Sequence, residues 1–293
     1  MTGFYIFTEF TLLGLLAAGV SALMALSFVL VYKGTHVVNF AAGEVMMLGA
    51  YLYYTAAVLL KLPPALALVV ALAGIALASV AIEALVLRPL AGQPTIAILM
   101  ATIGMASLLH GGVEIIWGQD PLETPALLPR FPVNWGEVMI PGAAIGNFVV
   151  ASVLIAGLVI FFRYSRAGIA MRATASDPVT AATLGVDIRA SQRMTWILSG
   201  VTGTVAGALI ASSGSVSPAL ASSALGVFAV VILGGLDSVA GAIIASLVVG
   251  VLESLTVGYI GGKMRDVFPY LVVLAMLIVR PYGLLGTREI ERL

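Results

Sequence analysis

Hydrophobic and polar positions in this chain alternate in long blocks, without the short period of an amphipathic soluble fold. Phe10 to Tyr32 runs 23 residues without a charge, and at about 1.5 Å per residue such a helix crosses a hydrocarbon core about 30 Å thick. Comparable blocks fall at Val45 to Leu60, Pro64 to Leu87, Pro94 to Ile116, Ile140 to Phe162, Thr195 to Ser213 and Val239 to Ile260. Two further apolar runs, Leu225 to Leu236 and Val267 to Val279, are 12 and 13 residues long. That length predicts broken or re-entrant helices. The pattern as a whole predicts an all-α, polytopic transmembrane helical bundle of about eight to ten spans, re-entrant pieces included, forming a single domain. The first basic residue is Lys33, so the N-terminal block lacks a basic flank and is read as a retained span, not a signal peptide.

Composition narrows the class. Hydrophobic residues make up 61% of the chain and charged residues 10%, where an ordinary soluble domain carries roughly 25% charged. With a mean hydropathy of +1.12, a free-standing soluble protein, a disordered chain and a disulfide scaffold are all excluded. Basic and acidic residues number 14 each, so net charge gives no reason to expect a nucleic-acid partner. There is no cysteine, and the two histidines, His36 and His110, cannot build a zinc site without several carboxylates. The sequence contains neither HExxH nor Gly-x4-Gly-Lys-Ser/Thr, and no Ser-His-Asp set. It therefore predicts no catalysis, no nucleotide held by this chain and no cofactor.

Charge distribution predicts orientation. Arg163, Arg166, Arg172, Arg189 and Arg193 outnumber Asp177 and Asp187 in the 163–193 segment, which places that segment in the cytoplasm because positive loops are retained there. A tail with Arg280, Arg288 and Arg292 agrees. Between Trp117 and Pro141 the balance reverses, with Asp120, Glu123 and Glu137 against Arg130 and five prolines, so that loop is expected outside. Counting spans puts the Arg88-Pro89 turn inside; Lys263 and Arg265 then fall outside, against the rule.

The 163–193 segment is too polar to span. Ser176 or Asp177 is suited to cap a short helix with Pro178 at its first position, because the side-chain oxygen accepts a free N–H and proline has none to satisfy. Gly185 would end that helix, which runs from Pro178 to Leu184 and shows Val179, Ala182 and Thr183 on one side. Such a small knob fits a groove on another protein, and it also fits a solvated connection whose arginines only enforce topology. Spacing does not decide between them.

Polar groups at membrane depth are the other candidates. Asn39 and Glu44 stand between two apolar blocks beside Ala41, Ala42 and Gly43; a carboxylate there must face a cavity, a partner or the interface. One reading makes them part of a discontinuous helix lining a path, the other a cap at headgroup level near Lys33. Glu253 lies inside its block, where it would line a path, pair with a charge of a partner chain or hold unwound backbone. His110 and Glu114 share a helix face, Glu83 and Arg88 suit a loose interfacial pair, and His36 reads as an interfacial polar residue. Gly234-Gly235-Leu-Asp237-Ser-Val-Ala-Gly241 predicts an unwound turn between half-helices, a hinge or gate. Gly200, Gly203 and Gly207 put small residues on one face, for packing within the chain or against a partner. A weak echo between 39–50 and 223–240 pairs a small-residue break with a short helix in each half.

These residues resemble a known family. Tyr32-Lys-Gly-Thr-His-Val-Val-Asn-Phe-Ala-Ala-Gly-Glu44, Leu48-Gly-Ala-Tyr51, Arg88-Pro-Leu, Ala101-Thr-Ile-Gly104, Ala175-Ser-Asp-Pro with Leu184-Gly185, Ala229 to Ala242, Gly250-Val-Leu-Glu253 and Arg280-Pro-Tyr-Gly-Leu-Leu-Gly286 are similar, in order, to the shorter, LivH-type permease of ABC importers for branched-chain amino acids. One departure is Ala42, where that family usually carries histidine or another polar residue. The resemblance implies a fold similar to type II ABC importer permeases and a place in a bacterial inner membrane. It implies as partners a second, LivM-type permease, two cytoplasmic ABC ATPases, an extracytoplasmic substrate-binding protein and membrane lipid. It makes Arg172, Asp177, Pro178, Ala181, Ala182, Leu184 and Gly185 the ATPase-coupling loop, and Asn39, Glu44, Gly234, Gly235, Asp237 and Glu253 the path or gate. Leucine, isoleucine and valine are the default substrates, with urea or short amides as the alternative. A stand-alone channel or secondary transporter is the competing class; it would show a cluster of ion-coupling acids or a pore ring in place of a docking loop. Because the chain has no cysteine, single cysteines test the topology. One replacing Glu123 is expected to react with an impermeant maleimide from outside, and one replacing Asp187 only after the membrane is opened; the reverse pattern inverts the assignment.

Overall fold

The computed structural model describes residues 2–90, 92–128, 131, 133–135, 138–264, 267–280 and 282–286; Arg130, Glu137, Arg265, Arg288 and Arg292, counted above, lie outside the described residues. The helices are α1 (Thr2–Thr35), α2 (Ala42–Tyr54), α3 (Pro64–Ile82), α4 (Thr95–Trp117), α5 (Gly142–Tyr164), α6 (Arg166–Ser176), α7 (Pro178–Thr183), α8 (Ile188–Ser212), α9 (Leu220–Gly234), α10 (Val239–Tyr259) and α11 (Phe268–Val279). Single π-turns, Thr55–Leu59 and Glu83–Leu87, extend α2 and α3. Among the described residues, seven helices, α2 and α3 counted with their π-turns, are long and apolar enough to cross a membrane, and α9 and α11 are shorter apolar helices. These correspond to the seven long blocks and two short runs of the sequence, so the chain is a multi-pass, all-α membrane protein.

Close approach of small residues holds the bundle together, as expected where lipid supplies no hydrophobic drive between helices. Helices α1 and α8 form the buried centre, α8 packing on α1, α2 and α3. A Cβ on Gly207 would lie 2.7 Å from the Met46 carbonyl oxygen of α2, and one on Gly200 would press against Ser79 Oγ of α3. Ser199 Oγ donates to the Ser27 carbonyl of α1 at 2.7 Å. The glycine face of α8 is therefore spent inside the chain, which spacing alone left open. Helices α1 and α10 cross in the same manner, the Gly14 Cβ position lying 2.5 Å from the Gly250 carbonyl oxygen.

Short strands mark one end of the bundle. β1 (Leu122–Glu123) pairs antiparallel with β4 (Ser215–Val216), stapling the loop after α4 to the α8–α9 link, and β2 (Val133–Trp135) pairs with β3 (Val138–Ile140). Strands this short carry no readable period, and the sequence gives no sign of them. The arginine-rich segment marks the opposite end. More of it is helical than predicted: Ser165 caps α6 by accepting from Gly168 N at 2.9 Å, and α8 begins at Ile188 under an Asp187 cap, before the predicted Thr195.

At the arginine end, α9 turns into α10. Gly235 takes φ 101°, a backbone region that glycine enters without strain, and Ser238 Oγ caps α10 by accepting from Gly241 N at 3.0 Å. The carbonyls left open at the end of α9 are met by the loop after α11: Leu284 N donates to Leu233 O at 2.8 Å and Leu285 N to Gly234 O at 3.1 Å.

The packing makes a contrast between glycines. Gly207→Leu forces α2 and α8 apart, an overpacking that typically costs about 1–3 kcal/mol, and is expected to deplete the monodisperse species in detergent size-exclusion chromatography. Gly104 of α4 has no atom near its Cβ position within 4 Å, so Gly104→Leu is expected to leave the profile unchanged.

Candidate functional site

The α1–α2 connection breaks the helical run inside the protein. Asn39 is 2% exposed and its Oδ1 accepts from Ala41 N at 3.0 Å, closing a local turn that starts α2. Phe40 N donates to Thr102 Oγ1 of α4 at 3.4 Å. A Cβ on Gly43 would sit 2.6 Å from the Ala221 carbonyl oxygen, so the first turn of α2 abuts the first turn of α9. The two short-helix regions of the sequence echo thus meet.

Beside this junction a cavity of about 580 Å³ extends toward the strand end, where Gln119, Pro121, Ser217 and Pro218 form its rim. Glu44 of α2 and His110 and Glu114 of α4 line it, with His110 Nε2 3.6 Å from Glu114 Oε1, an ion pair when the imidazole is protonated. Its floor is aromatic: Phe28 meets Phe228 edge-on at 5.0 Å, and Phe40 stacks on Phe228 at 5.6 Å. One chamber thus combines two carboxylates, one imidazole and an apolar base.

On the other side of α9 lies a second cavity of about 990 Å³, lined by Glu253, Ser21, Asn147, Ser213 and Tyr270, and Ser222 borders both. Glu44 and Glu253, grouped together on sequence grounds, therefore belong to different chambers. Asn39, Gly234, Gly235 and Asp237 line neither. Asn39 shapes the start of α2, and the glycines form the packed turn under the α11 loop. His110 and Glu114 join Glu44 in the first chamber, a convergence across 66 residues or more of sequence that helical spacing does not reveal.

At the arginine end, Asp177 Oδ1 accepts from Val179 N at 2.9 Å and Thr180 N at 3.2 Å. The Thr180 hydroxyl and these backbone donors hold the Asp177 carboxyl below its usual range, so the cap stays charged at neutral pH and is lost only as pH falls through that lowered value. Gly185, at φ 83°, ends the segment. Val179 and Leu184 are 73% and 78% exposed, and Arg172, Pro178 and Ala182 are exposed with them. Ala181 is 2% exposed and packs inward, so of the two alanines only Ala182 is on the open face. Glu83, a carboxylate 4% exposed, lies 3.2 Å from Arg88 and 3.6 Å from Arg193 of α8. The sequence shows the first partner; the second comes from a distant helix.

The family profile described as branched-chain amino acid transport system / permease component matches residues 10–277. The high-affinity branched-chain amino acid transport system permease protein BraD of Pseudomonas aeruginosa is 31% identical, over 95% of each chain. The corresponding LivH permease of Salmonella typhimurium is 31% identical over 92% of each, and a probable LivH of Methanocaldococcus jannaschii is 30% identical over 92% of this chain and 90% of its own. Among solved structures, PsaBC from Streptococcus pneumoniae in complex with Fab aligns with 96% of this chain at 14% identity and a TM-score of 0.48, too slight a likeness to weigh. Across nearly its whole length, then, the chain belongs to the branched-chain amino acid transport system permease family.

Proposed function

We propose that this chain is the membrane-spanning permease subunit of a binding-protein-dependent ABC importer in the bacterial inner membrane, moving branched-chain and other hydrophobic amino acids inward. The observation that carries the reading is the first cavity. An aliphatic zwitterion needs a carboxylate for its ammonium, a cation or polar donor for its carboxylate and an apolar surface for its side chain. Glu44 and Glu114, His110 with Gln119, and the rings of Phe28, Phe40 and Phe228 supply these in one chamber. Urea and short amides carry no ammonium to pair with the Glu44 carboxylate beside the entering molecule. The names of the BraD and LivH relatives point to the same substrates.

In this reading the strand end faces the binding protein and the arginine end faces the cytoplasm. A second, LivM-type permease completes the membrane part, with Glu253 and its cavity serving the path on the other side of α9. Two ATPases supply the energy, since a channel or secondary transporter has no use for an exposed capped helix flanked by arginines. Asp177 and Pro178 start that helix and Gly185 ends it, so that Val179, Ala182 and Leu184 present a small apolar knob to an ATPase groove, with Arg172 beside it.

Two variants test the roles separately. Ala182→Trp is expected to insert normally yet fail to co-purify with the ATPases; retained co-purification removes α7 as the docking element. Glu44→Gln is expected to leave assembly and docking intact while lowering uptake of leucine about tenfold, equivalent to about 1.4 kcal/mol of lost stabilisation. Normal uptake by Glu44→Gln across a substrate titration would take the carboxylate out of the path. The chain reconstituted alone is expected to move no leucine, and autonomous uptake would favour the secondary-transporter class.

A further inference from the structure

We infer that His36 mechanically couples the docking segment to the aromatic floor of the cavity, as a positioning residue for transport. The inference rests on the docking role proposed for α7 and adds a route from it to the path. Ala175 is in the last turn of α6, two residues before the Asp177 cap, and its carbonyl oxygen lies 3.0 Å from His36 Nε2. A carbonyl only accepts, so Nε2 carries the proton and donates. His36 holds φ 54°, a left-handed conformation that a residue with a side chain keeps where its surroundings enforce it. The Tyr32 ring flanks the imidazole at 6.2 Å.

From this contact the chain runs without helix to Phe40, whose ring stacks on Phe228 at 5.6 Å. Four residues span at most about 14 Å when extended, so the path by which a shift of α6 that moves His36 is passed to Phe40 is short. The far end is anchored as well, through Asn39 Oδ1 to Ala41 N and Phe40 N to Thr102 Oγ1. The near end is braced from a second side: a Cβ on Gly34 would be 2.7 Å from Thr195 of α8, the helix that leaves the same docking segment. Tilting α6 and α7 on an ATPase therefore moves the 36–41 link and displaces Phe40 from Phe228.

The test uses the full complex in proteoliposomes, with binding protein and leucine outside and ATP inside, and reads leucine moved per ATP hydrolysed. His36→Gly removes the imidazole but relieves the backbone, and His36→Gln restores an N–H donor at similar reach. His36→Gly is expected to co-purify with the ATPases and keep ATP hydrolysis within about twofold, while leucine moved per ATP falls about fivefold or more. His36→Gln should retain at least about half of the wild-type ratio. An unchanged ratio in His36→Gly overturns the inference, as does failure of that variant to assemble, which would make His36 a structural prop. Normal co-purification of Ala182→Trp would instead defeat the docking reading, so the two failures are distinguishable.

Discussion

A bilayer core offers no hydrogen-bond partner to a peptide group, so a helix that breaks at membrane depth must seal its free N–H and C=O groups with protein or turn them to water. Two breaks among the described residues, one at the arginine end and one inside the protein, answer differently. At the α9–α10 turn the answer is closure: the backbone of Leu284 and Leu285 covers the carbonyls of Leu233 and Gly234, Gly235 leaves room for that loop, and Gly234 packs directly on Gly241. At the α1–α2 link the answer is partial. Asn39 and Thr102 hold individual N–H groups, and the first turn of α2 borders a polar chamber. The second break generates the candidate path because it is not fully packed over.

The surrounding bundle divides in the same sense. Helix α2 meets α8, and α1 meets α10, at glycine contacts with backbone atoms, which leave no room for adjustment. Across the chamber, α4 brings His110 and Glu114, yet the Cβ positions of its Gly104, Gly111 and Gly112 meet nothing within 4 Å. Its ties to the bundle include the Thr102 hydroxyl and the bond from Trp117 Nε1 to Thr55 Oγ1 at 3.0 Å. One wall of the chamber belongs to a rigid frame and the other to a lightly held helix, an arrangement suited to alternating exposure of a site.

Features set by local rules were legible in the sequence. Block lengths give the spans, Asp177-Pro178 and Gly185 give the start and end of α7, and Gly234-Gly235 with Ser238 gives the turn. Features made by long-range contact were not. Nothing in the spacing of Glu44 tells that His110 and Glu114 share its chamber, nor that Glu253 lines another, because α9 must first be placed between them. Arg193 reads as a topology charge until α8 carries it to the buried Glu83. Ala181 and Ala182 are equivalent by composition, and only the tertiary packing of α7 makes one internal and the other a surface. Helix α6 was missed because its charges mask a modest stripe of Gly168, Met171 and Thr174, all buried.

The central claim is that the short helices α2 and α9 border a water-filled chamber reached from the outer end and closed by the three phenylalanines. Single cysteines at Ser222, which borders both cavities, and at Val231, 1% exposed and farther along α9, test it in sealed, right-side-out membrane vesicles treated with an impermeant, charged thiol reagent. The account predicts modification of the cysteine at 222 from outside and none at 231 in the resting state. A protected cysteine at 222, or one modified only from the cytoplasmic side, would contradict it.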